Sequence, residues 1–375
     1  MNLKLGKRLL SASCLALWVL LFWANPSLEA ATYRYQDLGT LSRASWAGSI
    51  NRSGQVVGYS ETKCADGNYE PHAILVTAPG PMQDLGTLAG GMAIADGYIS
   101  GANGINSCGQ VVGWSAAILP DGAFTQHAFF KTATGTMQDL GTLGGSTAAA
   151  TAINNSGQVV GWSAAILPGG AVEQHAFLWT APGGLRDLGT LGGDSWAYGI
   201  NGSGQVVGAA ANVSPGGTLV QHAILWTAAG GLQDLGTLGG DNSSANAIND
   251  SGLIVGFSNT GGGQQHAFLR TAGGSMQDLG DLGGGASGAN GINSSGQVVG
   301  WSLAAGGIRH ALVWTATGGM QDLNNLVANP PAKDFLSDAR AINARGQIIG
   351  TTNNGKAFLL TPINPIPPVV ELLLD

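Results

Sequence analysis

A-T-A-I-N-N-S-G-Q-V-V-G-W-S-A-A-I-L-P-G-G-A-V-E-Q-H-A-F-L-W-T-A-P-G-G-L-R-D-L-G-T, residues 150–190, is the stretch on which the fold turns. Its words return along nearly the whole chain. The Asn of I-N-x-S-G falls at Asn51, Asn106, Asn154, Asn201, Asn249, Asn293 and Asn343, and the Asp of D-L at Asp37, Asp84, Asp139, Asp187, Asp234, Asp278 and Asp322. Seven copies spaced 44 to 55 residues apart describe an array in which each unit needs neighbours to bury its faces.

Each unit reads as four strands. In the quoted copy these are 150–153 (A-T-A-I), 157–163 (G-Q-V-V-G-W-S), 175–180 (H-A-F-L-W-T) and 185–188 (L-R-D-L). Short β-branched and aromatic runs between glycine clusters are strand signals. N-x-S-G suits a type I turn closed by a left-handed glycine, which joins the first two strands as a hairpin. A-P-G-G and its variants join the last two. The same turn creates the N-x-S sequons at Asn51, Asn154, Asn201, Asn249 and Asn293, which need no glycan to explain them.

Four antiparallel strands in about fifty residues is the size of a propeller blade. The chain opens on a lone fourth-strand word, Tyr35-Gln36-Asp37-Leu38, and finishes on a third-strand word, Lys356-Ala357-Phe358-Leu359. An N-terminal strand that completes the last blade would close the ring and remove exposed edges. The expectation is an all-β, seven-bladed β-propeller of four-stranded antiparallel blades, closed by the N-terminal strand. An open β-repeat solenoid is the alternative.

These words resemble the bacterial extracellular repeat family named for its H-A-F motif. I-N-x-S-G-Q-V-V-G, H-A-F and D-L-G-T-L-G-G carry the resemblance over about residues 33–361. It implies an exported repeat protein, and the family carries no agreed enzymatic activity. The last copy departs from the pattern at Lys356, in place of His, and at Asn324-Asn325, in place of Gly-Thr.

The flanks are read separately. Lys4, Lys7 and Arg8 precede an apolar run at 9–24, Asn25 and Pro26 break it, and Leu28-Glu29-Ala30 is a small-residue cleavage site. Residues 1–30 are expected to be a secretory signal peptide cut near Ala30, with an uncleaved anchor as the rival. Residues 31–361 form the propeller, and 362–375 a short Pro-rich tail. The location is then secreted, extracellular or periplasmic. Of 15 Lys+Arg and 22 Asp+Glu, three and one precede residue 31, leaving 12 against 21. That mildly acidic balance, with no basic run, excludes nucleic acid and anionic lipid as expected partners. Cys64 and Cys108 fall in different parts of their repeats and on opposite faces, so free thiols are expected.

Most residues with chemical potential occur once per blade. All six histidines, His72, His127, His175, His222, His266 and His310, are the H of H-A-F. Strung around a ring, they do not converge on one ion at about 2 Å, so no metal is expected. The D-L aspartates suit a turn role at the crossover, and paired carboxylates at about 5 to 9.5 Å are not supplied. The I-N-x-S-G loop offers a carboxylate only at Asp250, too little for calcium. Trp114, Trp162 and Trp301, with Tyr59 and Phe257, share one register position, and Trp179, Trp226 and Trp314 another. Both sets read as packing between blades.

Variation against this background marks the binding face. The hairpins between second and third strands are long in blades 1 to 4, and insertions fall at 89–101 and 324–337, all on one face. The first strand carries Ala in every copy (Ala47, Ala102, Ala150, Ala197, Ala245, Ala289, Ala339), while the next residue changes: Gly48, Asn103, Thr151, Tyr198, Asn246, Asn290, Arg340. Asn103, Thr151, Tyr198, Asn246, Asn290 and Arg340 are the expected ligand contacts. The function expected is a non-enzymatic, monomeric binding module without cofactor, recognising a surface glycan or protein. A polysaccharide hydrolase or lyase is one alternative, drawing on Glu61, Lys63, Asp66 and Glu70 with Asp334, Asp338 and Arg340. A purely structural envelope component is the other.

Overall fold

The computed structural model describes residues 33–63, 67–88, 100–119, 122–214, 216–271 and 273–363. The expected signal segment 1–30, Cys64, Asp66 and residues 364–375 of the expected tail lie outside the described residues. Within them the chain forms seven four-stranded antiparallel sheets, each built from consecutive strands except the last. Blade 3 is representative, with strands Gly144–Ile153, Val159–Ile166, Val172–Thr180 and Gly184–Asp187. Blade 7 takes Leu336–Ile342, Ile348–Thr352 and Ala357–Pro362 from the end of the chain and Tyr33–Asp37 from its beginning. Tyr35 pairs with Leu360 and Asp37 with Phe358 in that last ladder. The ring is therefore closed by the N-terminal strand, and the chain is a seven-bladed β-propeller.

The core is distributed between blades. Val160, Ala176 and Leu178 of blade 3 pack on Leu188, Ala197, Val206 and Trp226 at blade 4. The seam where the chain's ends meet is built alike, with Ile349, Ala357 and Leu359 against Ala47, Val56 and Ile74. Such apolar layers, repeated around a ring, replace the single core that a chain this long would otherwise split into domains.

Two sequence words acquire physical reasons. In each blade the ladder between first and second strands slips by one residue after the recurrent Ala. Thr151 is the extra residue between Ala150, paired with Gly161, and Ala152, paired with Val160. This is a β-bulge, which bends the strand and re-aims one side chain. Opposite each bulge stands the Gly of V-V-G. A Cβ on Gly161 would lie 2.0 Å from the Ala149 carbonyl oxygen, and one on Gly58 1.8 Å from that of Trp46. Only glycine admits an approach this close.

The N-x-S-G turn does more than reverse the chain. Gly157 N–H donates to the Asn154 carbonyl, and Gly157 takes φ +77°, as the turn requires. The Asn154 Oδ1 accepts the N–H groups of Ser156 and Gln158. Its Nδ2 then crosses to the next blade and donates to the Asn201 carbonyl at 3.0 Å. Long hairpins were expected in blades 1 to 4, and the added residues extend the strands. Blades 3 and 5 use similar tight turns, Leu167 N–H to Ala171 and Thr260 N–H to Gln264, but the blade 3 strands are longer.

Candidate site at the channel mouth

The seven bulge residues all face the central channel. Gly48, Asn103, Thr151, Tyr198, Asn246, Asn290 and Arg340 line a cavity of about 270 Å³ at its middle. The structure brings all six expected contact residues together here. Four of them also tie blades to each other. Asn103 Nδ2 donates to the Ala150 carbonyl at 2.8 Å, Thr151 Oγ1 to that of Ala197 at 2.7 Å, Asn246 Nδ2 to Ala289 at 2.8 Å and Asn290 Nδ2 to Ala339 at 2.9 Å. Tyr198 and Arg340 break this pattern. Burial pushes the Tyr198 phenol up to about 12.

Each blade-1-to-6 histidine meets the D-L aspartate of its own blade. Nδ1 to carboxylate distances run from 2.6 Å for His72–Asp84 to 2.8 Å for His266–Asp278. The other Asp oxygen accepts the N–H of the residue two positions on, a glycine in blades 1 to 5, as Asp187 does from Gly189 at 2.8 Å, and Asn324 in blade 6. The dyad is a clamp on the crossover to the next blade. Sequence reasoning gave each residue a separate structural role and missed the pairing. A constant separation of twelve residues, His72 to Asp84 through His310 to Asp322, was the available signal. In blade 7 Lys356 takes the histidine's place and pairs with Asp334 at 2.9 Å. Asp334 also accepts from Asn354, and these two partners hold its carboxyl below the ordinary range.

The two aromatic sets differ. Trp179, Trp226 and Trp314 are buried between blades, as expected. Tyr59, Trp114, Trp162, Phe257 and Trp301 are only half-buried, and so are Trp46 and Trp196 on first strands. Trp114 and Trp301 lie over the first-strand glycines Gly101 and Gly288, where a Cβ would meet the indole at 2.7 and 2.9 Å. Blades 1 to 6 thus each place an aromatic side chain at the cross-strand pair preceding the recurrent Ala. Blade 7 has Asp338 opposite Thr351 instead.

Asp338 is the centre of a group absent from the repeat. It is 3% exposed. Its Oδ1 accepts Asn290 Nδ2 at 2.7 Å, and its Oδ2 accepts Arg309 Nη2 at 2.7 Å and lies 3.0 Å from Arg340 Nη2. Arg309 stacks on Trp301, its guanidinium carbon 4.2 Å from the ring centre, and Arg340 sits over Trp46 at 5.6 Å. Burial raises the Asp338 carboxyl above the ordinary range despite the opposing pull of Arg340 and Arg309. Of the charged residues set aside in the sequence as material for catalysis, Asp338 and Arg340 meet here. Asp334 is engaged with Lys356, and Glu70 is buried in its own hairpin.

Among the described residues, no three His, Cys, Asp or Glu side chains converge to hold a metal ion. No described helix is long and apolar enough to cross a membrane. Cys108 is exposed and unbridged in the turn between the first two strands of blade 2.

No family model and no curated protein matches the chain. Solved structures of similar build include a gluconolactonase from Xanthomonas campestris, 9% identical with TM-score 0.38, covering 90% of this chain and 92% of that one. A lectin from Burkholderia pseudomallei is 10% identical with TM-score 0.48, over 90% and 97% of the two chains. A glucose dehydrogenase is 10% identical with TM-score 0.37, over 87% and 98%. At these identities the likeness is one of fold.

The expectation of a non-enzymatic binding module is corrected. Structures of similar build include enzymes, gluconolactonases and glucose dehydrogenases among them. The reasoning failed for a physical cause. Counting one acid and one base per blade disperses them, whereas the seam of blades 6 and 7 gathers Asn290, Arg309, Asp338 and Arg340 at one point.

Proposed function

We propose that the chain is a polysaccharide-degrading enzyme, a hydrolase or lyase on a propeller scaffold, with Asp338 as its proton-transfer group. One observation carries the reading. At the single place where the aromatic belt is interrupted, a buried carboxyl with raised proton affinity stands beside the channel among donors that the repeat does not supply. General acid–base catalysis asks for a carboxyl moved towards the working pH, and burial is the means of moving it. The half-buried aromatics around the mouth offer flat faces for sugar rings. Resemblance to the H-A-F repeat family and the leading segment 1–30 support a location outside the cytoplasm in this proposal.

The test is release of new reducing ends from a panel of neutral and acidic polysaccharides by residues 31–375. Product with the native chain, lost in a folded Asp338→Asn variant, supports the proposal. A folded native chain that cuts nothing in the panel refutes it.

A further inference from the structure

We infer that the mouth between blades 6, 7 and 1 recognises the carboxylate of a uronic-acid residue through Arg309 and Arg340, which exchange Asp338 for the ligand. The inference rests on the enzymatic reading of the same site and specifies its substrate.

The argument starts from an unequal count of charges. Two guanidiniums share one carboxylate oxygen, Asp338 Oδ2. The group thus holds one positive charge more than it neutralises, in a chain whose net charge is −7. An arginine fork is satisfied by a carboxylate that accepts two parallel N–H bonds. Arg340 lacks such a partner. Its Nε–H is shielded from solvent with no hydrogen-bond acceptor among the described residues. A shielded donor on a charged group costs stability until something accepts from it.

The forks are nonetheless reachable. Arg309 and Arg340 side chains are 44% and 36% exposed, whereas Asp338 beneath them is 5% exposed. Trp301 and Trp46 hold the two planes by cation–π contact, which restricts their rotamers and lowers the ordering cost on binding. A second carboxylate presented from the channel meets both forks before it meets Asp338.

Sugar is favoured over an acidic peptide by the surroundings. An extended peptide binds best by adding to a free sheet edge. At this mouth the inner edge of the first strands is already engaged, the carbonyls of Ala150, Ala197, Ala289 and Ala339 accepting the side chains of Asn103, Thr151, Asn246 and Asn290, and the neighbours are half-buried aromatics. Flat apolar faces beside amide donors suit pyranose rings.

The chemistry follows. Two guanidiniums on a uronate carboxylate acidify the C–H beside it. Asp338, released from Arg309 and Arg340, takes that proton. The electron pair forms a carbon–carbon double bond, and the bond to the leaving sugar oxygen breaks. The leaving oxygen recovers a proton from Asp338 or water. Elimination needs one base and a neutralised carboxylate, while hydrolysis needs a second carboxyl. Arg309 and Arg340 supply the former.

The experiment measures binding of oligogalacturonate, of its carboxyl-reduced counterpart and of poly-glutamate to residues 31–375, at low and raised salt. The acidic sugar should bind about tenfold or more tightly than the reduced one, and more weakly as salt rises. Replacing Arg340 alone would also change the proton affinity of Asp338, which its charge lowers. The variant is therefore Arg340→Gln with Asp338→Asn, and Asp338→Asn alone is its control. Loss of uronate preference in the double variant, with retention in the control, is expected. Equal binding of both sugars, unchanged preference in the double variant, or tighter binding of poly-glutamate overturns the inference. Cutting of neutral polysaccharide without uronate preference would leave the enzyme and remove this specificity. Uronate binding without any cut bond would leave the specificity and remove the enzyme.

Discussion

Asn343 Nδ2 donates to the carbonyl oxygen of Asn51 at 3.0 Å across 292 residues of sequence. It is the closing link of a cycle. Asn51 donates to Asn106, Asn106 to Asn154, Asn154 to Asn201, Asn201 to Asn249, Asn249 to Asn293 and Asn293 to Asn343, at 3.0 to 3.3 Å. Seven amides thus girdle the lower end of the channel, each buried and each joining two blades.

Substituting one of these amides should cost more than a surface turn residue would. Asn201→Ala removes the donor to Asn249 and leaves buried backbone groups without partners, a loss of about 1–3 kcal/mol. Asn201→Asp keeps the turn acceptor but cannot donate, and it should lose nearly as much. Denaturant unfolding measures both. Equal stability of either variant and the native chain would show that the cycle contributes nothing.

The glycine opposite each bulge should be intolerant of even one methyl group. With a Cβ 2.0 Å from the Ala149 oxygen, Gly161→Ala is expected to cost about 3 kcal/mol or more, or to prevent folding. Gly189, a crossover glycine with open space around it, is instead constrained by φ +83°, so Gly189→Asn should be far milder than Gly189→Val. Thermal unfolding of the three proteins ranks them.

The His72–Asp84 clamp should weaken in acid. Burial alone would raise the Asp84 carboxyl, but bonds from His72 and the Gly86 N–H, with the His72 charge, bring it below the ordinary carboxylate value. A carboxyl lowered on folding stabilises in full above its unfolded value, and that stability is lost as pH falls through the folded one. Stability should therefore drop below about pH 4, and Asp84→Asn should flatten part of that slope. A variant with an unchanged acid limb would assign the slope to other groups.

Asp338 has the opposite sign. Its carboxyl is raised, so its unfavourable burial as an anion grows as pH climbs through the folded value. As the proton acceptor of the proposed reaction it should place the acid limb of the pH–rate profile above the ordinary carboxylate range. Asp338→Asn should lower kcat by about 10²–10⁴-fold. A limb at an ordinary carboxylate value would identify a different base.

The sequence carried the ring because its words are local. I-N-x-S-G is a turn wherever it occurs, and a fourth-strand word without a first-strand word ahead of it has one useful place, beside Lys356-Ala357-Phe358-Leu359. The alanine and its variable successor were legible as channel residues for the same reason. The mouth was harder to read. Arg309 and Asp338 lie 29 residues apart on different blades, and neither belongs to a repeated word. Arg309 opens the third strand of blade 6, and only the seam turns it towards Asp338. Trp301 was read as core, and the structure leaves it half-buried because the adjoining Gly288 lets the indole lie over the inner strand.

The bulges give the ring a further property. A bulge residue takes no ladder partner, so the strand's register does not depend on its side chain. Gly48, Asn103, Thr151, Tyr198, Asn246, Asn290 and Arg340 occupy this position on near-identical backbones. Glycine, amide, hydroxyl, phenol and guanidinium are all already accommodated there. The channel is in effect a seven-letter inscription, in which the letters can be rewritten while the alanine before each and the glycine opposite keep the page intact, except at Gly48, where a Cβ would lie 2.5 Å from the Trp46 ring.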